Sequence, residues 1–189
     1  MIKIGILGDI GSGKSYVAQN FGYPIFNADH EVAKLYQKNR NVFKNLKKKL
    51  PKYIHSFPIK KKEISNAILS SKNNLNEIVK IVHAEIRKKM NIFLKKNKNK
   101  KIVILDIPLL LENKINNKKD ILVYVQSEKS NILKRLKKRK NFNEKLLKKF
   151  KAIQYSINYK KKKSNFIIKN NFTKKSVNDG IKNILKEIT

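Results

Sequence analysis

The chain has 189 residues, 40% of them hydrophobic and 31% charged, with 46 Lys and Arg against 13 Asp and Glu for a formal net charge of +33. That length suits one globular unit with a sizeable core and excludes a multidomain machine. The lack of cysteine excludes disulfides, thiolate nucleophiles and Cys-based zinc sites, and makes a cytoplasmic protein the default expectation.

The apolar residues 2–7 read as a strand buried on both faces, and they run into a glycine cluster that holds Gly5, Gly8, Gly11 and Gly13. A helix is expected from Lys14 to Phe21. The N-terminal apolar stretch meets Asp9 and Lys14 too soon for a signal peptide. A short second strand, residues 24–26, is expected beside the first; Asp29 follows it, placed to cap a helix that begins with Glu31. From 31 to 99 the Lys/Asn/Ile/Leu composition predicts several helices, broken near Pro51 and Pro58. Strands follow at 102–105 and 121–125, basic helices at 128–138 and 143–159, a last strand at 166–168 and a closing helix at 176–188. Nowhere does an apolar run approach the roughly 18 residues of a membrane span, so no membrane partner is expected.

Strands alternating with helices predict an α/β fold, a doubly wound parallel sheet flanked by helices. The expectation is a single domain, 1–189, containing a helical segment over about 31–99 and a helical lid over about 128–160.

The charge has a compositional component. Lys (42), Asn (24) and Ile (26), all read from A/T-rich codons, fill nearly half the chain, and only four of the 46 basic residues are Arg, the residue suited to bidentate phosphate and base contacts. No specific nucleic-acid partner is therefore expected, although salt-sensitive, nonspecific binding to phosphate polymers follows from the charge itself.

The segment Gly8-Asp9-Ile10-Gly11-Ser12-Gly13-Lys14-Ser15 fits G-x-x-x-x-G-K-[ST] at every fixed position and lies between a predicted strand and a predicted helix. Chance would produce such a match in this composition with a probability of roughly 0.003, so the segment reads as a nucleotide-phosphate loop. Glycines let successive N–H groups turn toward phosphate, and the helix N-terminus adds positive potential. Gly8, Asp9, Ile10, Gly11, Ser12, Gly13, Lys14, Ser15 and Tyr16 are the expected nucleotide-binding residues, with Lys14 reaching the β- and γ-phosphates and Ser15 binding Mg²⁺. Asp9 is an extra carboxylate there, repulsive to triphosphate unless it turns to solvent or to the metal. A guanine-reading N-K-x-D is not matched, since Asn116-Asn117-Lys118-Lys119-Asp120 only imitates it and precedes a strand.

Further segments narrow the class. The chain resembles the dephospho-coenzyme A kinase family, in its phosphate loop, which there usually has glycine at the place of Asp9; in Asn27-Ala28-Asp29, like D-A-D with its first Asp replaced; in His83-Ala84-Glu85-Ile86-Arg87, like H-P-x-x-R without the proline; and in Asp106-Ile107-Pro108-Leu109-Leu110-Leu111-Glu112, matching D-x-P-L-L-x-E. Arg135, Arg139, Gln154 and Ile167-Ile168-Lys169-Asn170 resemble its lid and last strand; arginines often found after the glutamine are absent, where Ile157 and Lys160 stand. The resemblance implies transfer of the ATP γ-phosphoryl group to the ribose 3′-hydroxyl of dephospho-coenzyme A, with ATP and Mg²⁺ bound.

On that reading Asp29 is the general base, or else only a helix cap. Asp106, ending a strand, would hold Mg²⁺ with Ser15 through its water shell. Pro108, Leu109 and Glu112 would meet the acceptor, although the same stretch also reads as core. Arg135 and Arg139, spaced i, i+4 on one predicted helix, would converge with Lys14 on the phosphates, or else belong to a solvated face. His83 and Arg87 share a helical face and would bind the acceptor, His83 being otherwise a structural residue. A monomer or weak homo-oligomer is expected. The rivals are another nucleotide or small-molecule kinase of this fold and a nucleic-acid-stimulated ATPase.

Overall fold

Five apolar runs become the strands of one parallel sheet in the computed structural model, which describes residues 1–140 and 142–189. They are β1 (Ile2–Gly8), β2 (Ile25–Asn27), β3 (Ile102–Asp106), β4 (Ile121–Gln126) and β5 (Phe166–Lys169), in the spatial order β2-β3-β1-β4-β5. The helices are α1 (Lys14–Asn20), α2 (Ala28–Lys38), α3 (Arg40–Lys49), α4 (Lys61–Ser70), α5 (Lys72–Lys96), α6 (Lys129–Lys137), α7 (Glu144–Ala152), α8 (Ile157–Lys163) and α9 (Lys174–Ile188).

The expectation that the second strand lies beside the first is overturned, because β3 stands between them. Strand β3 is buried along its whole length and suits the sheet interior, whereas the three-residue β2 suits an edge. The register pairs Gly5 with Leu105 and Asn27 with Asp106. From β1 the chain goes to one edge of the sheet, and from β3 it crosses to the other side of β1. The C-terminal ends of β1 and β3 therefore flank a topological switch point, the place where open α/β sheets bind ligands.

The chain divides into two compact units. The first comprises Met1–Asn27, Asn97–Phe142 and Ile153–Thr189 and contains the sheet. Its core joins Ile4, Ile6, Ile102, Ile104, Val123, Val125 and Ile168 of the sheet to Val17, Ala18 and Phe21 near α1 and Val177, Ile181 and Ile184 of α9. Removing such side chains from water at about 25 cal/mol per Å² drives the assembly.

The second unit, Ala28–Lys96 and Asn143–Ala152, is helical. Leu35, Val42, Leu46, Ile64, Ile68, Ile78 and Val82 are buried within it at helical spacing. Helix α3 starts where the Asn39 side chain accepts from Val42 N–H at 2.9 Å, and it stops just before Pro51, as expected of the residues preceding proline. Glu63 gathers the following loop, accepting from Ser56 Oγ at 2.7 Å and from the N–H groups of His55 and Ser56 at 3.2 Å. Burial pushes its carboxyl up, but these bonds, with the charge of His55, outweigh that and hold it below the usual value.

Two helix boundaries depart from expectation. Helix α2 opens at Ala28, directly after β2, so Asp29 lies inside its first turn instead of capping from outside. A carboxylate there still favours the helix N-terminus. The helix expected over 143–159 is two, α7 and α8, because Ser156 caps a new start by accepting from Tyr159 N–H at 3.2 Å; α7 belongs to the helical unit and α8 to the sheet unit.

Candidate active site

The loop after β1 is shaped by glycine. Gly13 has φ 91°, and a Cβ there would lie 2.5 Å from Asn170 Nδ2; at Gly8, φ 152°, it would meet Ser12 Oγ at 2.6 Å and Val125 O at 2.8 Å. Larger residues would force the loop open. Its backbone is then fastened from two other strands: the Ser12 carbonyl accepts from Ser127 Oγ at 2.9 Å, just past β4, and from Asn170 Nδ2 at 2.8 Å, just past β5. Asn170 is buried and its side-chain Oδ1 accepts from Phe172 N–H at 2.8 Å.

Lys14 opens α1 and curls over the loop, Nζ donating to the carbonyls of Asp9 at 2.8 Å and Gly8 at 3.2 Å. Ser12 Oγ is buried and is without a hydrogen-bond partner among the described residues. An orphaned hydroxyl beside backbone N–H groups and a lysine is the donor set a phosphate group takes up. Ser15 and Tyr16 are exposed in the first turn of the helix.

Asp9 turns to its own loop. Its Oδ1 accepts from Ile10 N–H at 2.8 Å, and the residue is partly exposed. Burial first and the charge of Asp9 second push the Tyr124 hydroxyl up, which puts that charge within reach of β4. The carboxylate thus engages an amide that the loop would otherwise offer to phosphate. Asp9→Gly is expected to tighten ATP about tenfold, the effect of about 1.4 kcal/mol of repulsion removed in a partly solvated site, read by calorimetric titration with ATP. An unchanged affinity would mean that Asp9 swings clear at no cost.

Asp106 ends β3 and is 3% exposed. Across the sheet, Asn27 Nδ2 donates to its Oδ2 at 2.7 Å. After it the chain turns sharply: Ile107, Leu110 and Leu111 are buried as core, whereas Pro108 and Leu109 stay half-exposed, Leu109 at φ 59°, where a branched side chain is strained. Glu112, expected at the acceptor, accepts through Oε1 from Tyr155 N–H at 2.8 Å and from Lys160 Nζ at 3.2 Å. Lys160, itself buried, also donates to Gln154 Oε1 at 2.8 Å. These bonds tie the turn after β3 to the segment before α8.

Arg135 and Arg139, expected together on one helix of a lid, do not share a helical face. Arg135 is on α6, but that helix ends at Lys137, and Arg139 lies in the turn beyond, its N–H donating to Leu136 O at 3.0 Å. The Arg135 guanidinium stacks 4.4 Å over the ring of Phe172, a residue at φ 67°. The helical unit carries Asp29 on α2 and His83 and Arg87, one turn apart, on α5.

Reading motifs alone misses Ser127 and Phe172, which become visible once β4 and β5 flank the loop; Asn27 and Asn170 stand inside segments that the sequence singles out, but without the bonds that give them a place at the site.

A phosphate loop between β1 and α1, an acidic residue ending the adjacent strand and a sheet of this order define a P-loop nucleotide-binding protein. Residues 2–176 match the family model described as dephospho-CoA kinase. The chain is 31% identical to the dephospho-CoA kinase of Wolbachia pipientis wMel and 29% identical to that of Wolbachia sp. subsp. Brugia malayi, in both cases over 98% of this chain and 97% of the relative. The crystal structure of TT1252 from Thermus thermophilus superposes with a TM-score of 0.80 at 24% identity, covering 100% of this chain and 98% of that one, and so shares the fold. The chain belongs to the dephospho-CoA kinase family and is an ATP-dependent kinase. No helix among the described residues is long and apolar enough to cross a membrane.

Proposed function

We propose that this chain transfers the γ-phosphoryl group of ATP to the 3′-hydroxyl of the ribose of dephospho-coenzyme A, giving coenzyme A and ADP in the cytoplasm. The observation that carries this reading is the family match over residues 2–176, whose motifs include both the phosphate loop and the Asp106–Glu112 turn.

The Gly8–Ser15 backbone cradles the phosphates, with Tyr16 following, and Lys14 releases its loop carbonyls to meet the β- and γ-oxygens. Asp29 takes the proton of the acceptor hydroxyl as its oxygen bonds to the γ-phosphorus and the bond to the β,γ-bridging oxygen breaks. Arg139 meets the charge on the transferred group, and Arg135 lies against the nucleotide. His83, Arg87, Pro108 and Leu109 hold the acceptor; Glu112 contributes by fixing their turn through its bonds to Tyr155 and Lys160. The segment 31–99 serves the acceptor and 128–160 the lid of one working domain.

The donor set fits Mg²⁺. Ser15 hydroxyl and Asp106 carboxylate are hard oxygens, and no group of three or more His, Cys, Asp or Glu suited to a metal exists among the described residues, so the ion would complete its shell with water and phosphate. When bound there, Mg²⁺ would supply neutralisation of the phosphate charge. No membrane, specific nucleic acid or obligate partner is invoked, and the chain acts as a monomer or weak homo-oligomer.

The test is ADP formation from ATP and Mg²⁺ with dephospho-coenzyme A, beside adenosine, nucleoside monophosphates, shikimate and single-stranded RNA. Turnover with dephospho-coenzyme A alone is expected. Turnover with another small acceptor would discard the substrate assignment, and stimulation by RNA alone would make the basic surface the functional one.

A further inference from the structure

Asn27 is the last residue of β2 and stands in register with Asp106, the last of β3. In-register residues of neighbouring strands project to the same face of a sheet, which brings the two side chains together. Their bond, 2.7 Å from Nδ2 to Oδ2, has a fixed sense, because an ionised carboxylate only accepts and the donor must be the amide. A carboxylate at the end of a strand otherwise turns about two side-chain bonds. Pinning Oδ2 orients Oδ1 as well.

An aspartate in place of Asn27 would set a second carboxylate against that of Asp106. Two carboxylates at hydrogen-bond distance repel unless a cation or a proton lies between them. An amide and a carboxylate attract without either.

We infer that Asn27 is a positioning residue that sets the Asp106 carboxylate for the divalent cation before the cation arrives. The inference rests on the proposed role of Asp106 toward that ion. This chain gives up the extra negative charge an aspartate would lend to cation affinity, and in return holds Asp106 in one orientation at low cation concentration. Partners of this kind, which orient a metal-holding group without touching the metal, change metal affinity by about 10–100-fold when removed.

The test is Mn²⁺ binding to the full chain with a non-hydrolysable ATP analogue, followed by the loss of free-Mn²⁺ electron paramagnetic resonance signal, with thermal unfolding in parallel. Asn27→Leu, which removes the donor, is expected to raise the Mn²⁺ dissociation constant about tenfold. Asn27→Ala, which lacks the donor and adds neither charge nor bulk, is expected to raise it likewise, and decides alone if the leucine variant does not fold. Binding of the analogue without metal should be unchanged in both. Any other pattern, above all Mn²⁺ affinities within about twofold of the parent, overturns the inference. Asp106→Asn separates the two failures: if it weakens Mn²⁺ and the Asn27 variants do not, only the positioning role falls; if it leaves Mn²⁺ unchanged, the metal role of Asp106 falls and the inference with it.

Discussion

Lys14→Ala is expected to lower kcat for ATP-dependent phosphorylation by about 10²–10³, the loss of about 2.7–4 kcal/mol that follows removal of one preorganised electrostatic donor. Phosphoryl transfer gives the protein little covalent work, so positioning and charge carry most of the catalysis. The Lys14 ammonium lies over the loop, held by the carbonyls of Gly8 and Asp9. It exchanges two neutral acceptors for anionic oxygens, and charge-assisted bonds are roughly twice as strong. Alanine also removes those two bonds from the loop, so a modest fall in thermal stability is expected with the kinetic one. A steady-state assay beside a thermal melt separates them: a variant that melts like its parent and turns over at near the parent rate would sink the phosphate-loop account.

Legibility followed the range of the interactions. The loop Gly8–Ser15 was readable because its chemistry is local: eight successive residues supply the cradle, the lysine and the hydroxyl. The strands were readable because burial on both faces leaves continuous apolar runs, as in residues 102–105. Strand order was not, since nothing in residues 24–26 says whether β1 or β3 will be the neighbour; that depends on which run can bear burial on both sides. Arg135 and Arg139 show the limit of periodicity. Their spacing is helical, but α6 ends between them, with Lys138 N–H closing the last turn on Lys134 O. Glu112 shows what a motif leaves unsaid: its carboxylate is bonded to Lys160 and Tyr155, from a segment more than forty residues on. Asn27 is the converse case. A departure from the family pattern acquires a physical sense once register brings Asp106 against it.

Asp29→Asn is expected to lower kcat with dephospho-coenzyme A by about 10²–10³, within the range for a positioned general base, while leaving ATP binding unchanged. The competing reading makes Asp29 a helix-terminus residue only. In the first turn of α2 its charge favours the helix by about 0.3–1 kcal/mol, and asparagine keeps the polar side chain while giving up that charge. The two readings therefore differ in which observable moves. A base predicts a large kinetic loss with a small change in melting temperature; a terminus residue predicts the small stability change and near-parent turnover. The size of the KM shift decides the remainder. Loss confined to kcat means that Asp29 acts on the hydroxyl in the transition state, whereas a raised acceptor KM with kcat preserved means that it only holds the ribose.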